Sequence, residues 1–155
     1  MNHKLRIYID TSVIGGYFDN EFKEASIKLI DRFIKGEFQA VISDITQIEL
    51  KNAPDKVKAV LKKIPKGNLE YVELTEDAAD LTKKYISDGV LTKTKLVDAQ
   101  HIAIATINKV DLIVSWNFKH IVNIDKIRGF NAVNLKMSYP IIDIRSPLEV
   151  ISYEK

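Results

Sequence analysis

The chain has 155 residues, of which 46% are hydrophobic, and this length and composition predict one globular domain over residues 1–155. The 23 Lys and Arg side chains nearly balance the 21 Asp and Glu side chains, for a formal net charge of +2. This balance excludes a strongly basic nucleic-acid clamp but not a local basic patch. The absence of cysteine excludes disulfides, thiol nucleophiles and thiolate metal sites.

The N-terminal residues do not resemble an export signal. The apolar stretch at residues 5–9 is short and contains Arg6, whereas a signal peptide needs a longer uninterrupted apolar run. The sequence also contains no uninterrupted apolar run of the length that a membrane-spanning helix needs. We therefore predict an intracellular, cytoplasmic protein that does not enter a membrane.

Strand-like and helix-like patterns alternate along the first half of the chain. Short β-branched apolar runs indicate strands, and apolar residues at helical spacing indicate helices. The elements predicted in chain order are a strand at 5–9, a helix at 23–35 closed by Gly36, a strand at 40–42, a helix capped by Ser43 or Asp44, a helix with Pro54 at its first position, and a strand at 69–74.

The second half continues the alternation. A helix over residues 98–108 is apolar almost all round, which predicts that it is buried. The predicted elements are a helix capped by Thr75 and ended at residues 88–89, the helix at 98–108, a strand at 112–114 and a further strand at 132–135. Residues 138–155 predict an appended edge strand that includes Pro140, and a short helix that begins at residues 146–147.

Strands that alternate with helices favour a parallel sheet covered on both faces. The predicted fold class is therefore α/β, a three-layer α/β/α sandwich around a central, mainly parallel sheet. In such sheets, ligands bind beyond the carboxyl ends of the strands.

Acidic residues stand at three informative places in this predicted fold. Asp10 directly follows the first strand, where it is either a site residue or the cap of a turn or helix. Glu49 lies in the helix after the second strand, where a solvated helix acid is the alternative. Asp98 begins the buried helix, and an N-cap role alone would also explain it.

Three carboxylates that converge at one edge of a sheet repel one another, and they stay ionised only if a cation lies between them. Hard oxygen ligands in a chain without cysteine favour Mg²⁺ or Mn²⁺ over zinc. Asn117 follows the fourth predicted strand at the same edge. Its amide could bind a ligand or a site residue, or it could simply form a turn.

Four segments of the chain resemble, in order and spacing, those of the PIN domain family. They are residues 7–12 (IYIDTS), 43–50 (SDITQIEL), 98–105 (DAQHIAIA) and 112–121 (LIVSWNFKHI). Each segment alone is weak, but together they cover about residues 5–140. The resemblance implies a metal-dependent ribonuclease with a parallel sheet. Within this family, the chain is similar to the VapC-type toxins. This similarity implies a small antitoxin partner and a homodimer.

The resemblance also implies roles for individual residues. Asp10, Glu49 and Asp98 match the three family acids, so they are the expected metal ligands and, with Asn117, the expected catalytic residues. Thr11 and Ser12 match hydroxyls near the family site and are expected to contact substrate. His120 departs from the pattern, because many members carry an acid near this position.

Lysines near the acids are candidates for binding phosphate. Lys93 and Lys95 precede Asp98 closely, and His120 lies near the predicted site, so all three are expected to contact RNA. The lysine-rich residues 51–66 equally fit a solvated helix face.

Alternative interpretations stay open at this stage. His101 could hydrogen-bond near the site, although a satisfied, partly buried histidine is favoured. With Asn117 and His120 at positions where acids can stand, the protein could bind RNA or a partner without cleaving. A nuclease that processes RNA and is not a toxin is the third option.

Overall fold

A parallel sheet forms the centre of the molecule. The computed structural model describes residues 4–153. Within this range the strands are β1 (Arg6–Ile9), β2 (Gln39–Ser43), β3 (Leu69–Val72), β4 (Leu112–Val114) and β5 (Ile144–Arg145). All neighbouring strands pair in parallel, in the order β3-β2-β1-β4-β5. The chain therefore builds one half of the sheet from β1 outward and then returns to add β4 on the other side of β1.

The strands alternate with helices, as the sequence pattern predicts. The helices within residues 4–153 are α1 (Thr11–Gly16), α2 (Lys23–Ile34), α3 (Asp44–Leu50), α4 (Asp55–Lys62), α5 (Glu76–Ser87), α6 (Leu96–Ile107), α7 (Ile124–Lys136) and α8 (Pro147–Ile151). Single 3₁₀ turns lie at Lys66–Asn68 and Lys93–Lys95. No helix in the described part of the chain is both long and apolar enough to cross a membrane.

The two faces of the sheet pack against different helices. In β1, Ile7 and Ile9 point to one face and Tyr8 to the other, because strand side chains alternate. The Tyr8 face packs against residues of α5, α6 and α7, and the Ile7 face packs against residues of α1, α2, α4 and α8. Both cores consist mainly of fully buried aliphatic and aromatic residues. The predicted three-layer α/β/α sandwich is confirmed.

Several predicted helix ends are confirmed by their capping contacts. The Ser43 hydroxyl accepts the Thr46 backbone N–H, and the Thr75 hydroxyl accepts the Ala78 backbone N–H. Gly36 has a φ of +76°, the left-handed conformation that glycine adopts without a steric penalty after a helix end.

The prediction of a strand at residues 132–135 is wrong. These residues belong to α7, whose start is capped by Asn123 through the backbone N–H groups of Asp125 and Lys126. Three of these four residues are apolar, but no glycine or proline interrupts the segment, so the helix continues through it. Phe130 and Val133 lie on its buried face. The fifth strand is instead Ile144–Arg145, at the edge of the sheet.

Smaller corrections concern element ends. Strand β3 ends at Val72, two residues before its predicted end. The expectation that the edge strand includes Pro140 is wrong, because the strand is only Ile144–Arg145. Pro54 is the N-cap of α4, one position before the predicted one. Helix α6 begins at Leu96, so Asp98 lies in its first turn and is not its N-cap.

Candidate active site

The fold brings the three candidate acids to the same edge of the sheet. Asp10 directly follows β1, Glu49 lies in α3 immediately after β2, and Asp98 lies in the first turn of α6. The charge of Glu49 raises the pKa of both Asp10 and Asp98, so it lies within electrostatic reach of each. The structure thus brings together the residues that the sequence predicts as a site, and their chemical roles stay predictions.

Asp10 is a buried carboxylate that two serines hold from both sides. The hydroxyl of Ser12 lies 2.6 Å from Oδ1, and the hydroxyl of Ser115 lies 2.6 Å from Oδ2. Each serine oxygen also accepts a backbone N–H at 2.9 Å, from Trp116 and Asn117 respectively. An ionised carboxylate can only accept, so both hydroxyls donate their protons to Asp10.

This arrangement defines the electrostatics of Asp10. Only 4% of the residue is exposed, and burial raises its pKa more than the charge of His101 and the two hydroxyls lower it. Asp10 occupies the N-cap position of α1, but its side chain makes no capping hydrogen bond. Helix capping therefore does not explain this residue.

Glu49 is held through a single oxygen. Its Oε1 atom accepts from Thr11 Oγ1 at 2.6 Å and from His101 Nε2 at 2.6 Å. Partial burial raises the pKa of Glu49, but these two hydrogen bonds and the charge of His101 leave it below its ordinary value. A solvated helix acid does not account for these contacts.

Asp98 has a weaker partner. Asn117 Nδ2 donates to Asp98 Oδ2 at 3.3 Å. The Asn117 Oδ1 atom accepts the backbone N–H groups of Lys119 at 3.2 Å and His120 at 2.9 Å. Asn117 therefore does what both sequence interpretations expected, because it forms a turn and also contacts a site acid.

The surroundings of Asp98 are more positive than those of Asp10. Burial raises the pKa of Asp98, and the charges of His101, His120 and Lys95 oppose that increase. For His120, burial and the charge of Lys95 lower the pKa despite the attraction of Asp98. Lys95, His120 and Asp98 therefore interact electrostatically at one side of the site.

The segment after β4 is fixed by packing around Trp116. The indole N–H of Trp116 donates to Ser26 Oγ at 2.8 Å, and its ring stacks on Phe22 with centroids 4.3 Å apart. A Cβ atom on Gly16 would lie 2.8 Å from the indole nitrogen, closer than atoms can approach. The small residue at position 16 thus lets the segment that carries Ser115 and Asn117 approach α1.

The predicted substrate-binding residues divide into two groups. The hydroxyls of Thr11 and Ser12 contact Glu49 and Asp10, so they help to hold the acids. Lys95 and His120 lie near Asp98, whereas Lys93 is exposed in the preceding 3₁₀ turn. Their contacts with RNA stay predictions.

Three residues of the site were not among the predicted site residues. Ser115 binds Asp10, His101 binds Glu49, and Tyr8 binds His101. One signal was available for Ser115, because it follows a buried strand as Asp10 does. The sequence also places His101 one helical turn after Asp98, but it favours a satisfied, partly buried histidine at this position.

The donor chemistry of the site fits a hard divalent cation. Asp10, Glu49 and Asp98 offer carboxylate oxygens, the ligands that Mg²⁺ and Mn²⁺ prefer. The nearby His101 already uses Nε2 on Glu49 and Nδ1 on Tyr8, so it is not a nitrogen ligand. Among residues 4–153, no three His, Cys, Asp or Glu side chains are already gathered closely enough to enclose an ion. The residues therefore fit such a cation by their chemistry and their common edge.

Comparison with known sequences identifies one family. The sequence pattern of the PIN domain matches residues 7–121, which is well over half of the chain. No sequence among curated proteins matches significantly.

Solved structures with the same fold include several from toxin–antitoxin systems. A complex of VapBC2 from Rickettsia felis bound to a promoter DNA fragment aligns with a TM-score of 0.57 at 12% identity, covering 92% of this chain and 98% of that one. FitAcB from Neisseria gonorrhoeae aligns with a TM-score of 0.56 at 17% identity, also covering 92% of this chain and 98% of that one. VapC20 from Mycobacterium tuberculosis, a toxin that cleaves the sarcin–ricin loop, gives 0.55 at 13% identity, covering 74% of this chain and 92% of that one. At these identities the likeness shows the fold alone.

Proposed function

The chain belongs to the PIN domain family, and from this premise we propose that it is a divalent-metal-dependent ribonuclease that hydrolyses phosphodiester bonds and leaves a 5′-phosphate. The observation that carries the proposal is the gathering of Asp10, Glu49 and Asp98 at the carboxyl edge of the sheet, each with its own hydrogen-bond donor. Donors that orient carboxylates are typical of cation sites.

Asp10 and Asp98 are the proposed primary ligands of Mg²⁺ or Mn²⁺. Glu49 either binds a second cation or orients the attacking water. A divalent ion bound by these residues supplies positive charge to the phosphate oxygens and lowers the pKa of a bound water. The two serines donate to the Asp10 carboxylate, which favours its ionised form and fixes its orientation, and Asn117 keeps Asp98 in place.

The protein surface beside Asp98 is the proposed path of the RNA backbone. Lys95 and His120 lie near this acid and offer hydrogen-bond donors, and the ammonium group of Lys95 is positively charged. Such groups attract phosphate, and their contribution weakens as salt increases. The remaining candidates for this surface are Lys93, Thr11 and Ser12.

Cleavage of a mixed RNA substrate tests the proposed chemistry. The purified parent protein should cleave RNA when Mg²⁺ or Mn²⁺ is present, and cleavage should stop with excess EDTA. The variant Asp98→Asn keeps the size and polarity of the side chain but removes its charge, so cleavage should fall at least about 100-fold. An Asp98→Asn protein that cleaves as fast as the parent would show the assignment to be wrong.

We further propose that the nuclease is the toxin of a toxin–antitoxin pair, that it acts in the cytoplasm as a homodimer, and that a small antitoxin protein binds it. Structural neighbours from such systems support this role. Expression of the protein should arrest growth, and co-expression of a small protein encoded by a neighbouring reading frame should relieve the arrest. Light scattering of the purified protein tests the homodimer. Arrest by Asp98→Asn as strong as that by the parent would argue against a toxic nuclease.

A further inference from the structure

The candidate acid Glu49 is held from the protein interior by two buried residues. His101 is 2% exposed and Tyr8 is not exposed. The Nε2 atom of His101 lies 2.6 Å from Oε1 of Glu49, and its Nδ1 atom lies 2.6 Å from the Tyr8 hydroxyl. We propose that His101, oriented by Tyr8, is a positioning residue that determines how Glu49 presents its second carboxylate oxygen to a divalent cation.

The directions of the hydrogen bonds follow from which groups can donate. An ionised Glu49 only accepts, so Nε2 of His101 carries a proton. Nδ1 accepts from the Tyr8 hydroxyl when the ring carries only this proton and donates to it when the ring is charged, so the contact holds in both states. The Tyr8 hydroxyl also shares a hydrogen bond with Ser43 Oγ, 2.7 Å away, and the Ser43 oxygen accepts the Thr46 backbone N–H. Both ring nitrogens are therefore bound, and these two contacts fix the orientation of the His101 ring.

This chain of hydrogen bonds connects the three elements that carry the candidate acids. Tyr8 lies in β1, two residues before Asp10. His101 lies in α6, one turn after Asp98, and Glu49 lies in α3. The rings of Tyr8 and His101 also meet edge to face, with centroids 5.5 Å apart. The position of Glu49 relative to the other two acids therefore depends on these contacts.

The two donors to Glu49 use the same oxygen. Thr11 Oγ1 and His101 Nε2 both contact Oε1, and no donor from residues 4–153 contacts Oε2. Since 34% of the Glu49 side chain is exposed and Oε1 already accepts two hydrogen bonds, we assign Oε2 as the oxygen offered to a ligand. Removal of such outer partners typically weakens metal binding or activity by about 10–100-fold. The inference rests on the proposed function in one respect, since it assumes that a divalent cation binds at the acids.

A pair of matched tyrosine variants separates positioning from stability. Tyr8→Phe removes the hydroxyl that orients His101 and keeps the ring. Tyr85→Phe is the control, because Tyr85 is equally buried and its hydroxyl donates to Asn134 in α7. Each variant loses one buried hydroxyl, and both should lower the melting temperature. In calorimetric titration with Mn²⁺, only Tyr8→Phe should show a weaker affinity, by about 10-fold.

Variants of His101 test the same proposal directly. His101→Leu removes both hydrogen bonds and should weaken Mn²⁺ binding by about 10–100-fold. His101→Gln keeps an amide N–H that can donate to Glu49, so it should recover most of the affinity. If His101→Leu does not fold, the comparison of Tyr8→Phe with Tyr85→Phe decides. Mn²⁺ affinities of the Tyr8 and His101 variants equal to the parent affinity would overturn the positioning role.

The tests distinguish this inference from the proposed function. Cleavage of RNA by the parent protein with Mn²⁺ supports the function regardless of how the His101 variants behave. If the parent binds Mn²⁺ and the variants bind it with the same affinity, only the positioning role of His101 is overturned. If the parent neither binds Mn²⁺ nor cleaves RNA, both the positioning role and the proposed function are overturned.

Discussion

The Asp10 side and the Asp98 side of the site use the same type of side chain in opposite surroundings. Asp10 is 4% exposed and is held by two hydroxyls at 2.6 Å. Asp98 is only partly buried, has one amide donor at 3.3 Å, and interacts with Lys95 and His120. The difference indicates that one side is built to hold a carboxylate still, whereas the other leaves a carboxylate accessible beside positive charge.

The largest expected effect comes from neutralising the held acid. Asp10→Asn removes a proposed ligand and should lower cleavage at least about 100-fold, beyond the usual effect of an outer partner. A saturating concentration of Mn²⁺ should raise the melting temperature of the parent, since binding stabilises the folded state, but should not change that of Asp10→Asn. Equal stabilisation of the two proteins by Mn²⁺ would argue that Asp10 is not a ligand.

A smaller effect is expected when a donor to Asp10 is removed. Ser115→Ala deletes the hydrogen bond to Oδ2 and leaves Ser12 on Oδ1. Cleavage should fall by about 10-fold, the lower end of the range for outer partners. Thr82→Ala is a suitable control, because Thr82 is also buried but donates to a backbone oxygen within α5. If both variants cleave equally fast, the serine does not support Asp10.

On the Asp98 side of the site, the expected change is in RNA binding. Lys95→Glu should weaken RNA affinity and lower the slope of its salt dependence by about 1 or more, because a phosphate contact is lost. Lys93→Glu makes the same change in charge at an exposed residue of the same 3₁₀ turn, and it should have a smaller effect. Measuring RNA binding in the presence of EDTA compares the two variants without cleavage of the RNA. A Lys93→Glu effect as large as that of Lys95→Glu would contradict the assigned position of the backbone.

The smallest expected effect is on stability. Because burial raises the pKa of Asp10 above its ordinary value of about 4, the folded state holds this proton more tightly than the unfolded state does. The contribution of Asp10 to the stability of the metal-free parent should therefore fall as pH rises from about 4 through the folded pKa, and it should not recover above it. The Asp10→Asn variant lacks this pH-dependent contribution, because an asparagine side chain does not titrate. Thermal unfolding in EDTA at several pH values should show a melting temperature difference between the two proteins that increases with pH across this window, by roughly a few degrees.

Local patterns were sufficient to predict most of the elements. Apolar periodicity predicted α2, a segment that is apolar almost all round predicted α6, and single residues such as Ser43, Thr75 and Gly36 marked helix ends. The local apolar pattern wrongly predicts a strand at residues 132–135, which belong to the helix that begins at Ile124. Short apolar runs are ambiguous between helix and strand, and only the packing of the whole helix resolves them.

The candidate site was predicted in part. Asp10, Glu49, Asp98 and Asn117 stand at positions that the order of strands and helices brings to one edge. The residues that hold them were harder to recognise, since Ser115 is 105 positions from Asp10, and His101 is 52 positions from Glu49. No pattern of nearby residues reports which hydroxyl or ring will face a given carboxylate.

The sequence by itself determined the α/β class and the parallel sheet and indicated the candidate acids, because apolar patterns, capping residues and strand-end acids are local features. Only the tertiary structure decided that Asp10 is held and Asp98 is accessible, and that a buried tyrosine and histidine orient Glu49. These properties depend on burial and on hydrogen bonds between distant segments. Both arise only when the strands and helices pack together.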